Sequence, residues 1–415
     1  MTTLHGMRRR VAAALTVLAA GVLAGCAKDA PQDLFRPAGP NAREIDEGLA
    51  GQRYIFYMAG VVALIVLVAV AYIVVRYRDR GQDIPQQTHG NPKLEIALTI
   101  IPAVILATIA VPTVKKVFDL ADTSDAACVV NVTGQQWWWE YDYPAQNCGG
   151  IEIPEPIVTS GEMVLPVGTP VVLRITSRDV IHSFWIPRLN GKRDAVPGRL
   201  HTLRMEADAP GIYIGQCTEF CGLSHARMRQ AVAALSPTDF QTWVDNQLTP
   251  YSAPMGNEVA VEGEATYIAQ CARCHQVNGL VDPDGNPVLA NPDQYVVSGV
   301  APNLTHLMTR TGFAGYTFDL ITEECRDRLW NATPDEFGAL YLQGVWMDSP
   351  ADATVPVCFD EAALREWLRN APGMKPMFVD PANLASTGGL YRGMPALGLN
   401  EDQIDTLIAY LLERK

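Results

Sequence analysis

Cys217-Thr218-Glu219-Phe220-Cys221-Gly222-Leu223-Ser224-His225-Ala226-Arg227-Met228 places two thiols, an imidazole and a thioether in one short segment. Two cysteines this close on a chain outside the cytoplasm would ordinarily be read as a disulfide, with the histidine and methionine as ordinary surface or core residues. The added imidazole and thioether at ligand spacing point to a metal instead. An earlier His182, in Ile181-His182-Ser183-Phe184-Trp185, follows a β-rich run and can return to the same end of a sandwich. Two thiolates, two imidazoles and a thioether form a soft to intermediate donor set that favours copper, whereas zinc has little use for a methionine.

Around this loop the chain reads as short β-rich runs punctuated by proline and glycine, at 129–132, 163–167, 171–176, 202–205 and 211–216. Such spacing predicts a sandwich or small barrel, which we assign to residues 117–250. Upstream, residues 54–75 are apolar and uncharged over the length that crosses a hydrocarbon core of ~30 Å. A second apolar run, 96–114, carries Pro102 and Pro112, which a membrane helix tolerates when neighbours take up the freed carbonyls. Arg76, Arg78, Arg80 and Lys93 lie between the two runs and place that connector in the cytoplasm. Both the N-terminus and everything after Lys116 then face outwards. Glu95, at the mouth of the second run, is explained by the helix dipole or, alternatively, by a proton entrance.

The N-terminus agrees with export. Arg8, Arg9 and Arg10 precede an apolar stretch, 11–23, too short to span a bilayer. Leu23-Ala24-Gly25-Cys26 then resembles a bacterial lipoprotein cleavage box, with residues 1–25 as signal, Cys26 as the lipidated residue and 26–53 as an extracytoplasmic segment.

Downstream, residues 236–263 are polar with prolines, which sets a boundary near 250. Cys271-Ala272-Arg273-Cys274-His275 follows, and Cys-x-x-Cys-His reads as covalent c-type haem attachment with His275 as the iron ligand. The sixth ligand must come from Met308, Met347, Met374, Met377 or Met394. Gly393-Met394-Pro395 stands just before 401–412, where Ile404, Leu407, Ile408, Leu411 and Leu412 share one helical face. This pair resembles the Met-Pro loop and closing helix of class I cytochromes c, and the resemblance implies Met394 as the ligand, with Met377 the reserve. Of the nine cysteines, Cys128 with Cys148 and Cys325 with Cys358 remain for disulfides, the second closing an inserted loop. His201 and His306 are left without a role.

These residues carry a resemblance. The copper loop with His182, two preceding membrane helices, Gly134-Gln135-Gln136-Trp137-Trp138-Trp139-Glu140-Tyr141 and Asp194-Ala195-Val196-Pro197-Gly198-Arg199 resemble subunit II of haem-copper cytochrome c oxidases over about 50–230. The resemblance implies a binuclear CuA centre bridged by Cys217 and Cys221 and capped by His182 and His225, with Met228 and the carbonyl of Glu219 as weak axial ligands. It also implies that the Glu219 side chain helps bind a magnesium ion shared with subunit I, and that electrons enter at Trp137. Gln135 and Trp138 depart from the residues common in that family, His and Tyr, without touching a ligand. Residues 251–415 resemble a class I cytochrome c through the Met-Pro loop and closing helix, and Ala301-Pro302-Asn303-Leu304-Thr305-His306 resembles cytochrome domains fused to subunit II.

The fold implied is a multidomain membrane protein: a two-helix transmembrane hairpin over 54–116, a cupredoxin-like β-sandwich and an all-α cytochrome c domain. The function implied is the electron-transfer subunit of a caa3-type oxidase in a bacterial cell membrane. Cytochrome c or a bc-type complex would be the donor, and oxygen reduction and most proton pumping would belong to subunit I. A nitric or nitrous oxide reductase shares the Cys-x3-Cys-x3-His-x2-Met loop. A copper chaperone or thiol oxidoreductase shares less, since Met228, the tryptophan run and the haem motif count against it. Nucleic acid is excluded as a partner by a net charge of -13 over 415 residues, which suits a basic protein partner instead.

Overall fold

The computed structural model describes residues 32–78, 81, 89–249, 252–254, 256–281, 285, 288, 301–378 and 392–415. The expected signal, with Cys26, and Arg80 of the connector lie outside the described residues. Two long helices, Gln52–Arg76 and Pro92–Ala121, have no buried residues. At 1.5 Å per residue each is long enough to cross a bilayer, and their apolar side chains face outwards on all sides, as lipid requires. Pro102 and Pro112 sit inside the second helix without ending it. Asn91 caps that helix by accepting from Leu94 N, and Glu95 lies exposed in its first turn.

Beyond Asp122 the chain forms two main sheets. One has five strands in the spatial order His201–Met205, Val171–Ser177, Cys128–Gln135, Trp138–Tyr143 and Ile157–Ser160. The other places Arg229–Leu235 between Gly211–Gln216 and Glu162–Pro166. Cys128–Gln135 pairs parallel with Val171–Ser177, and Arg229–Leu235 parallel with Glu162–Pro166. Alternation along Cys128–Gln135 turns Val130 and Val132 into the core, where they meet Trp139, Tyr141, Phe184 and Leu173. This two-layer arrangement is cupredoxin-like. Cys128, which opens the central strand of the five-stranded sheet, forms a buried disulfide with Cys148.

The polar stretch read as a connector contains a helix, Pro237–Gln247, whose Phe240, Trp243 and Val244 are buried against the sandwich. The remaining chain is mostly helical. Glu258–Gln270 crosses Glu401–Leu412 at Gly263, where a Cβ would come within 1.9 Å of Thr406 O, so only glycine allows the helices this close. Tyr267 and Tyr410 pack beside the crossing with ring centroids 5.1 Å apart. Glu323–Trp330 and Pro334–Gln343 form an insert closed by a Cys325–Cys358 disulfide. A two-residue strand pair, Gly312–Phe313 with Phe318–Asp319, and the isolated bridges Ile321 to Phe359 and Phe378 to Arg392 depart from an all-helical unit among the described residues.

Candidate metal centre and cofactor cavity

The loop after Gly211–Gln216 and the strand His182–Phe184 bring the expected ligands to one end of the sandwich. Cys217 Sγ lies 3.9 Å from Cys221 Sγ, 3.9 Å from His182 Nδ1 and 3.3 Å from the carbonyl of Glu219. Cys221 Sγ lies 3.5 Å from His225 Nδ1 and 3.8 Å from Met228 Sδ. The donor atoms of His182, Cys217 and Cys221 all fall within 4.8 Å of one another, and all three residues are buried. This set fits copper by chemistry, with two thiolates between two imidazoles and weaker oxygen and thioether donors at the sides.

The surroundings hold the set in place. Asp179 Oδ1 lies 2.9 Å from His182 Nε2, which leaves Nδ1 facing the thiols. The hydrogen bond shared with Cys221 outweighs burial and draws the Cys217 thiol down to about 4, while the same contact pushes Cys221 up. Burial opposes charge on His182, yet its contacts with Asp179 and Cys217 prevail and raise its pKa. The Cys221 carbonyl accepts from Trp137 Nε1 at 3.0 Å and Gln136 Nε2 at 2.8 Å. The Glu219 side chain and Phe220 project outwards, Phe220 being 77% exposed.

A cavity of about 700 Å³ lies next to this loop. Cys271, Cys274, His275, Met377 and Met394 line it from the C-terminal region, and Gln136, Trp137 and Trp138 line it from the sandwich. The volume lies within the range of cofactor pockets. His275 is half-buried, and desolvation lowers its pKa and favours the neutral ring. Its Nδ1 donates to Pro302 O at 2.8 Å, which leaves Nε2 free to bind a metal. The donor set fits a covalently held haem: two thiols, a neutral imidazole and thioethers around an apolar space. Met377 and Met394 sit side by side, Met394 N donating to Met377 Sδ at 3.3 Å.

Trp137 is only 2% exposed. Phe378 covers its ring with centroids 5.3 Å apart, and Lys375 Nζ donates to its carbonyl at 2.8 Å and to Ala314 O at 2.7 Å. Burial pushes the Lys375 ammonium down to about 7. Other contacts join the same two regions. Glu162 is buried and accepts from Thr311 N at 2.8 Å, from the Thr311 hydroxyl and from Tyr341 OH at 3.0 Å. Arg310 donates to Ser160 Oγ at 3.0 Å, and Arg229 N to Gly315 O at 3.2 Å. Gly315 has φ +70°, and a Cβ there would meet Trp137 O at 2.5 Å.

Sequence reasoning missed Asp179, Gln136, Glu162, Arg310, Lys375, Phe378 and Arg392. Asp179 stands three residues before His182 and could have been found as its carboxylate partner. The others lie far in sequence from what they touch. Glu95 lies in the first turn of the second long helix, and the metal loop follows the strand Gly211–Gln216, so the two are on separate elements.

The fold and site define a membrane-anchored, cupredoxin-like electron-transfer protein. The family described as the transmembrane domain of cytochrome c oxidase subunit II matches residues 32–115, and the periplasmic domain of the same subunit matches residues 128–235. Cytochrome c oxidase subunit 2 of Alkalihalophilus pseudofirmus is 34% identical over 291 residues, covering 68% of this chain and 81% of that protein. Its counterpart from Bacillus sp. strain PS3 is 31% identical over 355 residues, covering 81% of this chain and 79% of the relative. Among solved structures, the periplasmic domain of subunit II of cytochrome oxidase from Bradyrhizobium japonicum is 31% identical, with a TM-score of 0.27 over 30% of this chain and 96% of that one. The chain belongs to the cytochrome c oxidase subunit II family. It is therefore the electron-transfer subunit of a terminal oxidase complex that contains other subunits, and its copper-binding region is the CuA domain of that family.

Proposed function

We propose that this subunit carries two redox centres in series, a covalent haem c held by Cys271, Cys274 and His275 and a binuclear CuA held by Cys217, Cys221, His182, His225, Met228 and the Glu219 carbonyl. When bound, the two groups supply one-electron storage on either side of Trp137. Met394 is the proposed sixth haem ligand, with Met377 beside it as the reserve. The observation that carries this reading is the shared wall: Trp137 lines the cavity and hydrogen-bonds the Cys221 carbonyl. Trp137 thus serves as an internal bridge between the two sites. Its burial beneath Phe378 and Lys375 removes it from direct contact with an external donor.

The copper ligands come from rigid strands and a loop tied to them. They resist rearrangement on a change of charge, which keeps the cost of each transfer low. A cytochrome c or bc-type complex would donate, the domains over 117–250 and 251–415 would face the extracytoplasmic side of a bacterial membrane, and subunit I would reduce oxygen. Glu219, projecting from the loop, would contribute to a magnesium site at subunit I, and Glu95 would open a proton path from the other side. Membership in the oxidase family, together with the haem motif, favours this over a nitrogen-oxide reductase or a copper chaperone.

The test is metal and haem content of the full chain together with its electron paramagnetic resonance spectrum. Two coppers per haem, with one unpaired electron shared between them, is the expected result. A single, readily lost copper would overturn the CuA assignment, and a chain without covalent haem would overturn the relay.

A further inference from the structure

Arg392 stands two residues before Met394 and lines the cofactor cavity. Its Nη1 lies 4.0 Å from Asp179 Oδ2, with side-chain exposures of 15% and 4%. The other oxygen of Asp179 is the one that faces His182 Nε2. Arg392 is held from behind by backbone hydrogen bonds in both directions with Phe378, whose ring packs on Trp137. The C-terminal region thus places a fixed positive charge on the carboxylate that orients a proposed copper ligand.

We infer that Arg392 is a positioning residue that tunes the electron affinity of the copper centre through Asp179 and His182, an inference that rests on the copper reading above. A histidine whose ring N–H meets a carboxylate is a stronger metal donor. A guanidinium close to that carboxylate, in a site largely shielded from water, offsets part of its negative charge. The weaker donor then favours the state with one more electron. Docking of the haem-bearing region thereby raises the affinity of the copper centre for an electron and favours transfer from the haem to the copper.

The experiment is a redox titration of the copper signal in the full chain, comparing Arg392→Met, Arg392→Lys, Asp179→Asn and Arg392→Met combined with Asp179→Asn. Arg392→Met is expected to shift the one-electron equilibrium of the copper centre towards the oxidised state by roughly threefold to tenfold. Arg392→Lys should stay close to wild type, and Arg392→Met should add nothing once Asp179 has lost its charge. An unchanged equilibrium in Arg392→Met with copper bound, or the same shift in the Asp179→Asn background, overturns the inference. If Asp179→Asn loses its copper, Arg392→Lys against Arg392→Met decides, and equal values overturn it. A wild-type chain without a copper signal instead overturns the reading on which the inference rests.

Discussion

Asp179 and Glu162 are both buried carboxylates whose surroundings push them in opposite directions. Burial raises Asp179, but the contacts with His182 and the Gln136 amide prevail and lower it. For Glu162 burial prevails over the Thr311 and Tyr341 hydrogen bonds, and the carboxyl is raised above the usual glutamate range. The folded chain then binds more protons than the unfolded one above the ordinary glutamate pKa, so the contribution of Glu162 is lost as pH rises from there through its folded value. Thermal unfolding of wild type against Glu162→Gln should show a difference that turns against wild type as pH rises across that window. A constant difference would mean that Glu162 does not titrate there. At the metal site, Cys217→Ser should remove the copper signal and oxidase turnover while leaving the haem absorption intact. Retained turnover at a normal rate would show that electrons bypass the copper centre.

The two apolar runs, the strand at 211–216 and the helix at 401–412 were legible because hydrophobic period and turn residues act within a few positions. Trp138–Tyr143 was not read as a strand, because consecutive tryptophans next to a membrane read equally well as interface aromatics. The helix Pro237–Gln247 was missed although Ser236 at the cap, Pro237 and the apolar set at 240, 243 and 244 all signal it. The Gly263 crossing offers a test at this scale. Gly263→Val should clash with Thr406 O and destabilise the C-terminal region by about 1–3 kcal/mol or more, measured by thermal unfolding. Met394→Ala against Met377→Ala should separate the two haem-ligand candidates: the variant that loses the methionine–iron absorption band, with haem still attached, names the ligand.

Across the whole molecule the Cys271–His275 motif and the copper loop are both brought towards Trp137 by contacts between segments far apart in sequence. Tyr341 and Glu162 are 179 residues apart, and Lys375 and Trp137 are 238 apart. Glu162→Ala would leave the Thr311 amide and the Tyr341 hydroxyl without their acceptor, at about 1–3 kcal/mol for each group. Amide exchange should then rise around 310–318 while 401–412 stays protected. Unchanged exchange at 310–318 would show that Glu162 does not clamp the two regions together. The candidate ligand loop, the membrane helices and the Cys-x-x-Cys-His motif were legible in the sequence alone, since each is a matter of residue type and short spacing. Only the tertiary structure decided that Trp137 both lines the cavity and donates to the Cys221 carbonyl, that Arg392 lies 4.0 Å from the carboxylate beside His182, and that one wall of the cavity belongs to the copper domain. The physical reason is that a buried contact between distant segments depends on how two packed surfaces meet, and no local period or spacing encodes that.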